Sequence, residues 1–83
     1  MSKDSIREAV ISQVIQLLHN ERKRQKLSMN AVAKRSGLSQ SMVSLVERNL
    51  RNPTLDTLLR IAGVLRIDLG PVISRAHKTA TGR

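Results

Sequence analysis

Apolar residues recur every three or four positions through most of the chain, and this spacing predicts helices rather than strands. The first helix is predicted over residues 5–26, which contain neither glycine nor proline. Ser5 is its expected N-cap, with Glu8 as the capping-box partner. The apolar face of this helix is wide in its first half. A face of that width requires either a core wrapped around it or a partner chain.

Four shorter helices are predicted to follow, each preceded by a residue that can cap it. The caps and helices are Ser28 before residues 29–36, Ser39 before residues 40–48, Thr54 before a helix to about residue 65, and Asp68 before residues 69–76. Gly37 and Asn49 lie where the chain needs a left-handed residue. Gly63, inside the fourth helix, is interpreted as a weak point, with a close approach of another helix as the alternative.

These elements predict an all-α fold of five helices in one domain over residues 1–76, followed by a basic flexible tail over residues 77–83. A chain of 83 residues has room for one modest core. No apolar run reaches the roughly 18–20 residues that a membrane span needs, and the polar N-terminus shows no signal-peptide pattern. We therefore expect a cytoplasmic protein without a membrane partner.

Composition excludes several classes of function. Without Cys, neither disulfides nor thiolate zinc modules are available, and the two histidines lie too far apart in sequence to predict a metal site. No aromatic residue is present to stack on single-stranded bases. We recognise neither a nucleophile–base arrangement nor a Gly-rich phosphate loop, so we expect no enzyme activity and no cofactor. His19 is interpreted as a surface or boundary residue.

The charge is concentrated in one segment. The chain carries a formal charge of +9, and between Arg22 and Arg51 lie eight Lys or Arg residues against one acidic residue, Glu47. Such a segment points to a polyanionic partner.

Residues 29–48 have the pattern of a helix-turn-helix, because two short predicted helices meet at a tight turn around Gly37. Ala33 is small enough for the second helix to cross closely, and apolar residues after the turn can hold that helix on the core. The sequence here resembles the Cro and lambda-repressor-type (XRE-like) family of DNA-binding regulators, over about residues 17–73. The matching segments are Leu27-Ser28, Ala31-Val32-Ala33, Ser36-Gly37-Leu38-Ser39-Gln40-Ser41, Val43-Ser44, Val46-Glu47-Arg48, Asn52-Pro53-Thr54-Leu55, Thr57-Leu58 and Arg60-Ile61-Ala62.

The resemblance implies a compact lambda-repressor-like domain whose third helix enters the major groove of double-stranded DNA. It therefore also implies a protein associated with the nucleoid. Base contacts are expected from Gln40, Ser41, Ser44, Leu45 and Arg48, and phosphate contacts from Ser28, Met29, Asn30, Ser39, Arg51 and Asn52. Gln40 is the strongest candidate, since glutamine can bond adenine N6 and N7 together. Leu45 has two open interpretations, a contact with a thymine methyl group or an exposed, partner-facing residue.

The same resemblance implies an ion pair between Arg22 and Glu47 that holds the third helix to the scaffold. The alternative is an exposed pair of little energetic value. Four positions depart from the family pattern. Met29 replaces a common Gln, Leu45 replaces a polar or basic residue, and Asn49 and Arg66 each replace a Gly. The change to Met29 weakens the expectation of a side-chain phosphate contact there, and Arg66 is expected to reshape the corner before the last helix.

The sequence thus predicts a sequence-specific transcriptional regulator, a repressor or autoregulator, that binds a palindromic operator as a homodimer without a small-molecule effector. Candidates for the dimer surface are Leu69, Val72 and Ile73 in the last helix and Ile6, Val10 and Ile11 in the first. The alternative is a helix-turn-helix protein-interaction module, or an antitoxin-type partner-binding protein, with weak or nonspecific DNA binding.

Overall fold

Five helices form the whole regular structure of the described part of the chain, residues 3–82 of a computed structural model. They are α1 (Lys3–Arg24), α2 (Met29–Ser36), α3 (Gln40–Glu47), α4 (Leu55–Leu65) and α5 (Leu69–Thr81). The all-α prediction with a helix-turn-helix at the second and third helices is confirmed. α1 packs along α5 and against α3 and α4, and α2 packs on α3 and α4.

Capping residues define where four of the helices begin. The side chains of Ser28, Ser39 and Thr54 each accept a hydrogen bond from the backbone N–H three residues later, and Asp68 accepts one from the N–H of Gly70. These bonds satisfy N–H groups that have no partner within the helix, so the predicted starts of α2 to α5 are confirmed.

Both ends of α1 differ from the prediction. Ser5 lies inside the helix, so its assignment as N-cap is wrong. The helix ends at Arg24 rather than Lys26. Lys26 is left-handed, with φ 59°, and the N–H of Leu27 bonds the carbonyl of Arg22 at 3.1 Å. This closure ends α1 and leads the chain into α2, and the side chain of Arg22 also bonds this loop through Nη1 to the carbonyl of Leu27 at 2.7 Å.

α5 is longer than predicted, because residues 77–81 are helical instead of forming the start of a tail. No glycine or proline interrupts these residues. The hydroxyl of Thr81 donates to the carbonyl of His77 at 2.8 Å, and Gly82, with φ 71°, caps the helix through its N–H to the carbonyl of Lys78. The expected end at Ala76 is therefore wrong.

The core is aliphatic and lies between α1 and the other four helices. Its buried residues are Val14, Ile15, Leu18, Val32, Ala33, Val43, Val46, Ile61, Ala62, Leu65, Leu69 and Ala76. A Cβ atom added at Gly63 would meet no atom within 4 Å, so this glycine is a weak point in α4 and no helix approaches it closely. Arg66 takes a left-handed conformation, with φ 58°, at a cost of roughly 1–2 kcal/mol.

Within residues 3–82, no helix combines the length and the apolar character that crossing a membrane would demand.

Candidate nucleic-acid interface

The outward face of α3 forms one wall of a shallow groove of about 380 Å³. The groove is lined by Met29, Gln40, Ser41, Ser44, Leu45 and Arg48. All the residues predicted to contact bases therefore lie together, and Met29, expected at a phosphate, joins them. The lining offers hydrogen-bond donors and acceptors, one cation and two apolar side chains.

The opposite face of α3 fixes how this groove is presented. Val43 and Val46 are 0% and 2% exposed and pack in the core. Because three or four residues separate successive positions on one helix face, burying these two valines turns the other side of α3 outward. A substitution that moves either valine therefore also moves the groove.

The turn before α3 requires a glycine for two reasons. Gly37 is left-handed, with φ 77°, and its N–H bonds the carbonyl of Ala33. A Cβ atom at this position would lie 3.3 Å from Nη1 of Arg60, which donates to the carbonyl of Ser36 at 3.1 Å. A side chain at this position would be strained by the positive φ and would displace the Arg60 guanidinium slightly, and the bond from Arg60 links the helix-turn-helix to α4.

Two helices begin at the groove. Met29 is the first residue of α2 and Gln40 the first of α3, and both line it. The positive ends of two helix dipoles therefore lie beside the same surface, an arrangement that favours anions. Ser28, Asn30 and Ser39 are exposed beside these two ends.

Arg51 and Asn52, predicted to contact phosphates, are exposed in the loop after α3 and do not line the groove. Asn49 is left-handed, with φ 57°, and its side-chain amide donates to the hydroxyl of Ser12 at 2.9 Å. Asn52 shares a recess with Glu8 and Ser12 of α1. The loop is thus tied to α1 at Asn49, and Arg51 is an exposed cation within this loop.

A buried ion pair joins α1 to the end of α3. Arg22 donates from Nε to Oε2 of Glu47 at 2.6 Å and from Nη2 to Oε1 at 2.9 Å. Its Nη1 donates to the carbonyl of Leu27 at 2.7 Å. The side chains of Arg22 and Glu47 are only 10% and 12% exposed. The pair implied by the resemblance is thus present and bidentate, with Arg22 buried and Glu47 partly buried, and the exposed alternative does not hold.

A third side chain, His19, completes this cluster, which the sequence analysis missed. Its Nδ1 lies 2.6 Å from Oε1 of Glu47. Burial raises the pKa of the Glu47 carboxyl, but the hydrogen bonds from Arg22 and His19 outweigh it and leave the pKa lowered. The signal in the sequence was the three-residue spacing of His19 and Arg22, which puts both on one face of α1.

The residues predicted to form the dimer surface do not lie on one surface. Leu69 is 5% exposed and belongs to the core, so its place among the dimer candidates is wrong: as the first residue of α5 it packs inward. Val72 lines a recess between α1 and α5 with Leu17 and Ile67, away from the other candidates. Ile6 is half-buried on α1.

Val10, Ile11 and Ile73, however, lie together in one groove of about 140 Å³. Val14, Pro53 and Leu58 complete its lining, which is apolar throughout. We call it the apolar groove. It joins the first half of α1 to α5 and to the loop before α4, and Ile73 is 39% exposed at its edge.

An all-α domain whose two short helices meet at a glycine turn and present an outward groove defines a helix-turn-helix protein. A family model described as helix-turn-helix matches residues 18–72. This chain is 39% identical over 59 residues to the uncharacterized HTH-type transcriptional regulator Rv0474 of Mycobacterium tuberculosis (strain ATCC 25618 / H37Rv), which covers 71% of this chain and 42% of that relative. It is 29% identical over 65 residues to the HTH-type transcriptional regulator SinR of Bacillus subtilis (strain 168), which covers 77% of this chain and 59% of SinR.

This chain belongs to the XRE-type helix-turn-helix family, the family of HTH-type transcriptional regulators. It spans less than two thirds of the length of these curated relatives. No solved structure matches it at a significant level.

Proposed function

We propose that this chain is a transcriptional regulator that reads double-stranded DNA by placing α3 in the major groove. The observation that carries the proposal is the shared groove of Gln40, Ser41, Ser44, Leu45 and Arg48 at the start of two helices. An α-helix fits the major groove of B-DNA, where each base pair presents a distinct pattern of donors, acceptors and methyl groups. Gln40, exposed at the N-terminus of α3, is the best placed to read adenine.

The surroundings of the groove suit a duplex. Ser28, Asn30 and Ser39 lie at the helix N-termini, where N–H groups and hydroxyls can bind phosphates on both sides of the groove. The segment from Arg22 to Arg51 is strongly basic, which attracts the polyanion at long range. The Arg22–Glu47–His19 cluster joins the end of α3 to α1, which fixes the position of the reading helix on the scaffold.

We propose further that the active form is a homodimer on a palindromic operator and that it represses. α3 has 8 residues and is therefore about 12 Å long, which limits one subunit to a few base pairs. Two subunits related by a two-fold axis read two half-sites about one helical turn apart. The apolar groove of Val10, Ile11 and Ile73 supports the dimer, because an exposed apolar surface is stabilised when a partner covers it.

Selection of binders from a random duplex library at about 150 mM salt tests this function. We expect a palindrome bound roughly 10³-fold more tightly than scrambled DNA. Sedimentation at rising protein concentration tests the dimer. Ile73→Arg should shift the protein to monomer and weaken operator binding, whereas Leu59→Arg, a matched change at a leucine that is 52% exposed on α4, should do neither.

A protein-interaction module is the second candidate. The observation that favours it is Leu45, a half-buried leucine in the outward groove. If no duplex is enriched and binding fades steeply as salt rises, the groove is better assigned to a protein partner.

A further inference from the structure

A second basic surface lies between the end of α2 and α4, apart from the groove of α3. It is an open recess of about 730 Å³, which we call the arginine recess. Its lining includes Arg35 and Ser36 of α2, Leu59, Arg60 and Val64 of α4, and Arg66 directly after α4. It shares no lining residue with the α3 groove or with the apolar groove, so a ligand bound there would not compete with one bound along α3.

Two of the three guanidinium groups in the arginine recess have no partner in the described part of the chain. Arg60 donates from Nε to the carboxylate of Asp56 at 2.8 Å and from Nη1 to the carbonyl of Ser36 at 3.1 Å. The side chains of Arg35 and Arg66 form neither an ion pair nor a hydrogen bond within residues 3–82. Three arginines against the one carboxylate of Asp56 leave an excess of two positive charges.

Arg66 occupies its position at a cost in stability. Its backbone is left-handed, with φ 58° and ψ 40°, a conformation that is strained for a residue with a Cβ atom and that glycine adopts freely. The side chain is exposed, and no bond within the described fold offsets the strain. Residues held in strained conformations cluster at ligand sites, so an arginine here points to an anion that binds it.

The floor of the arginine recess is apolar and open. Leu59 is 52% exposed, and Val64 is half-buried. Gly63 also lines the recess, and a Cβ atom there would meet nothing within 4 Å, so another chain can approach the backbone of α4. A ligand that covers Leu59 with an apolar group gains the free energy of its burial.

This combination of free guanidinium groups and an exposed leucine fits one class of ligand. Arginine binds carboxylates in a planar, two-bonded geometry, and the recess offers no aromatic ring on which a nucleic-acid base could stack. We propose that the arginine recess binds an acidic peptide segment of a partner protein. Carboxylates of that segment pair with Arg35 and Arg66, and an apolar side chain between them covers Leu59. The inference does not depend on DNA reading by α3.

Selection from a random peptide display library against the full chain tests this inference. We expect enrichment of peptides that carry carboxylates on both sides of an apolar residue. A selected peptide with a fluorescent label then gives a Kd by anisotropy at about 150 mM salt. Replacing its Glu and Asp by Gln and Asn should weaken binding roughly tenfold. In NMR spectra, the amide signals of Arg35, Gly63 and Arg66 should shift when the peptide is added.

Two double variants separate a specific site from attraction by net charge. Arg35→Ala/Arg66→Gly should weaken peptide binding roughly tenfold without lowering Tm, because glycine relieves the strain at position 66. Arg48→Ala/Arg51→Ala removes the same number of charges from exposed residues outside the recess and should keep peptide binding.

Three results would overturn the inference. The first is that no acidic peptide is enriched, and the second is that both double variants lose peptide binding equally. The third is that Arg35→Ala/Arg66→Gly weakens the binding of duplex DNA by the same factor as that of the peptide, which would make the recess a nucleic-acid surface. Failure to select any duplex for α3 would contradict the proposed function and leave this inference standing.

Discussion

The ion pair between Arg22 and Glu47 leads to the sharpest prediction about stability. Arg22 makes three hydrogen bonds, two to the Glu47 carboxylate and one to the carbonyl of Leu27. In Arg22→Met the Glu47 carboxylate, whose side chain is 12% exposed in the parent, would keep only His19 as a partner. Removing one partner of a buried pair costs roughly 3–5 kcal/mol, because it leaves a charge without compensation.

For a domain of this size, 1 kcal/mol lowers Tm by about 4–8 °C. We therefore expect Arg22→Met to lower Tm by roughly 12 °C or more. Thermal and urea unfolding at pH 7, followed by circular dichroism, measure the change. The double variant Arg22→Met/Glu47→Leu should recover most of the decrease in Tm, since an apolar pair of similar volume often replaces a buried ion pair without loss of stability.

Arg24 offers a matched control on the same helix. It also forms a two-bonded pair with a glutamate, Glu21, at 2.6 and 2.8 Å, but its side chain is 70% exposed. Arg24→Met should leave Tm nearly unchanged, because solvent screens exposed pairs. If Arg22→Met destabilised the protein no more than Arg24→Met, burial would not be what gives the Arg22–Glu47 pair its value.

Three further predictions concern pH and DNA. The pKa of Glu47 is lower in the folded protein than its ordinary value, so its contribution to stability is present above that ordinary value, about 4.5, and is lost as pH falls through the folded pKa. Tm measured from pH 7 to pH 3 should therefore fall less steeply in Glu47→Gln than in the parent, and identical slopes would contradict this. Gln40→Ala should weaken the binding free energy for the selected operator by roughly 1–3 kcal/mol and that for scrambled DNA little. Equal losses of binding free energy on both DNAs would remove the role of Gln40 in reading a base. Arg51→Ala should weaken both DNAs similarly and reduce the salt slope by about 1, while Arg35→Ala, at the far end of α2, should leave the slope unchanged.

Much of the fold and of the candidate site could be read from the sequence because the signals are local. A cap such as Ser28 bonds an N–H three residues away. Whether a turn forms at a glycine such as Gly37 depends on the φ angle of that residue and on its neighbours in sequence. Helical spacing also identified which residues of α3 face outward, because the period of a helix alone separates one face from the other. The helical period therefore predicted that Gln40, Ser44 and Leu45 share one face of α3.

Contacts between distant parts of the chain were decided by the tertiary structure. Periodicity shows that a face is buried but not what covers it, so Leu69 could be taken for a dimer residue when it packs in the core. His19 and Glu47 are 28 positions apart, and only the packing of α1 against α3 brings them together. The apolar groove likewise exists because α5 returns along α1 and places Ile73 beside Val10. Local hydrogen bonds and the helical period are properties of neighbouring residues, whereas a surface assembled from several helices depends on how those helices pack.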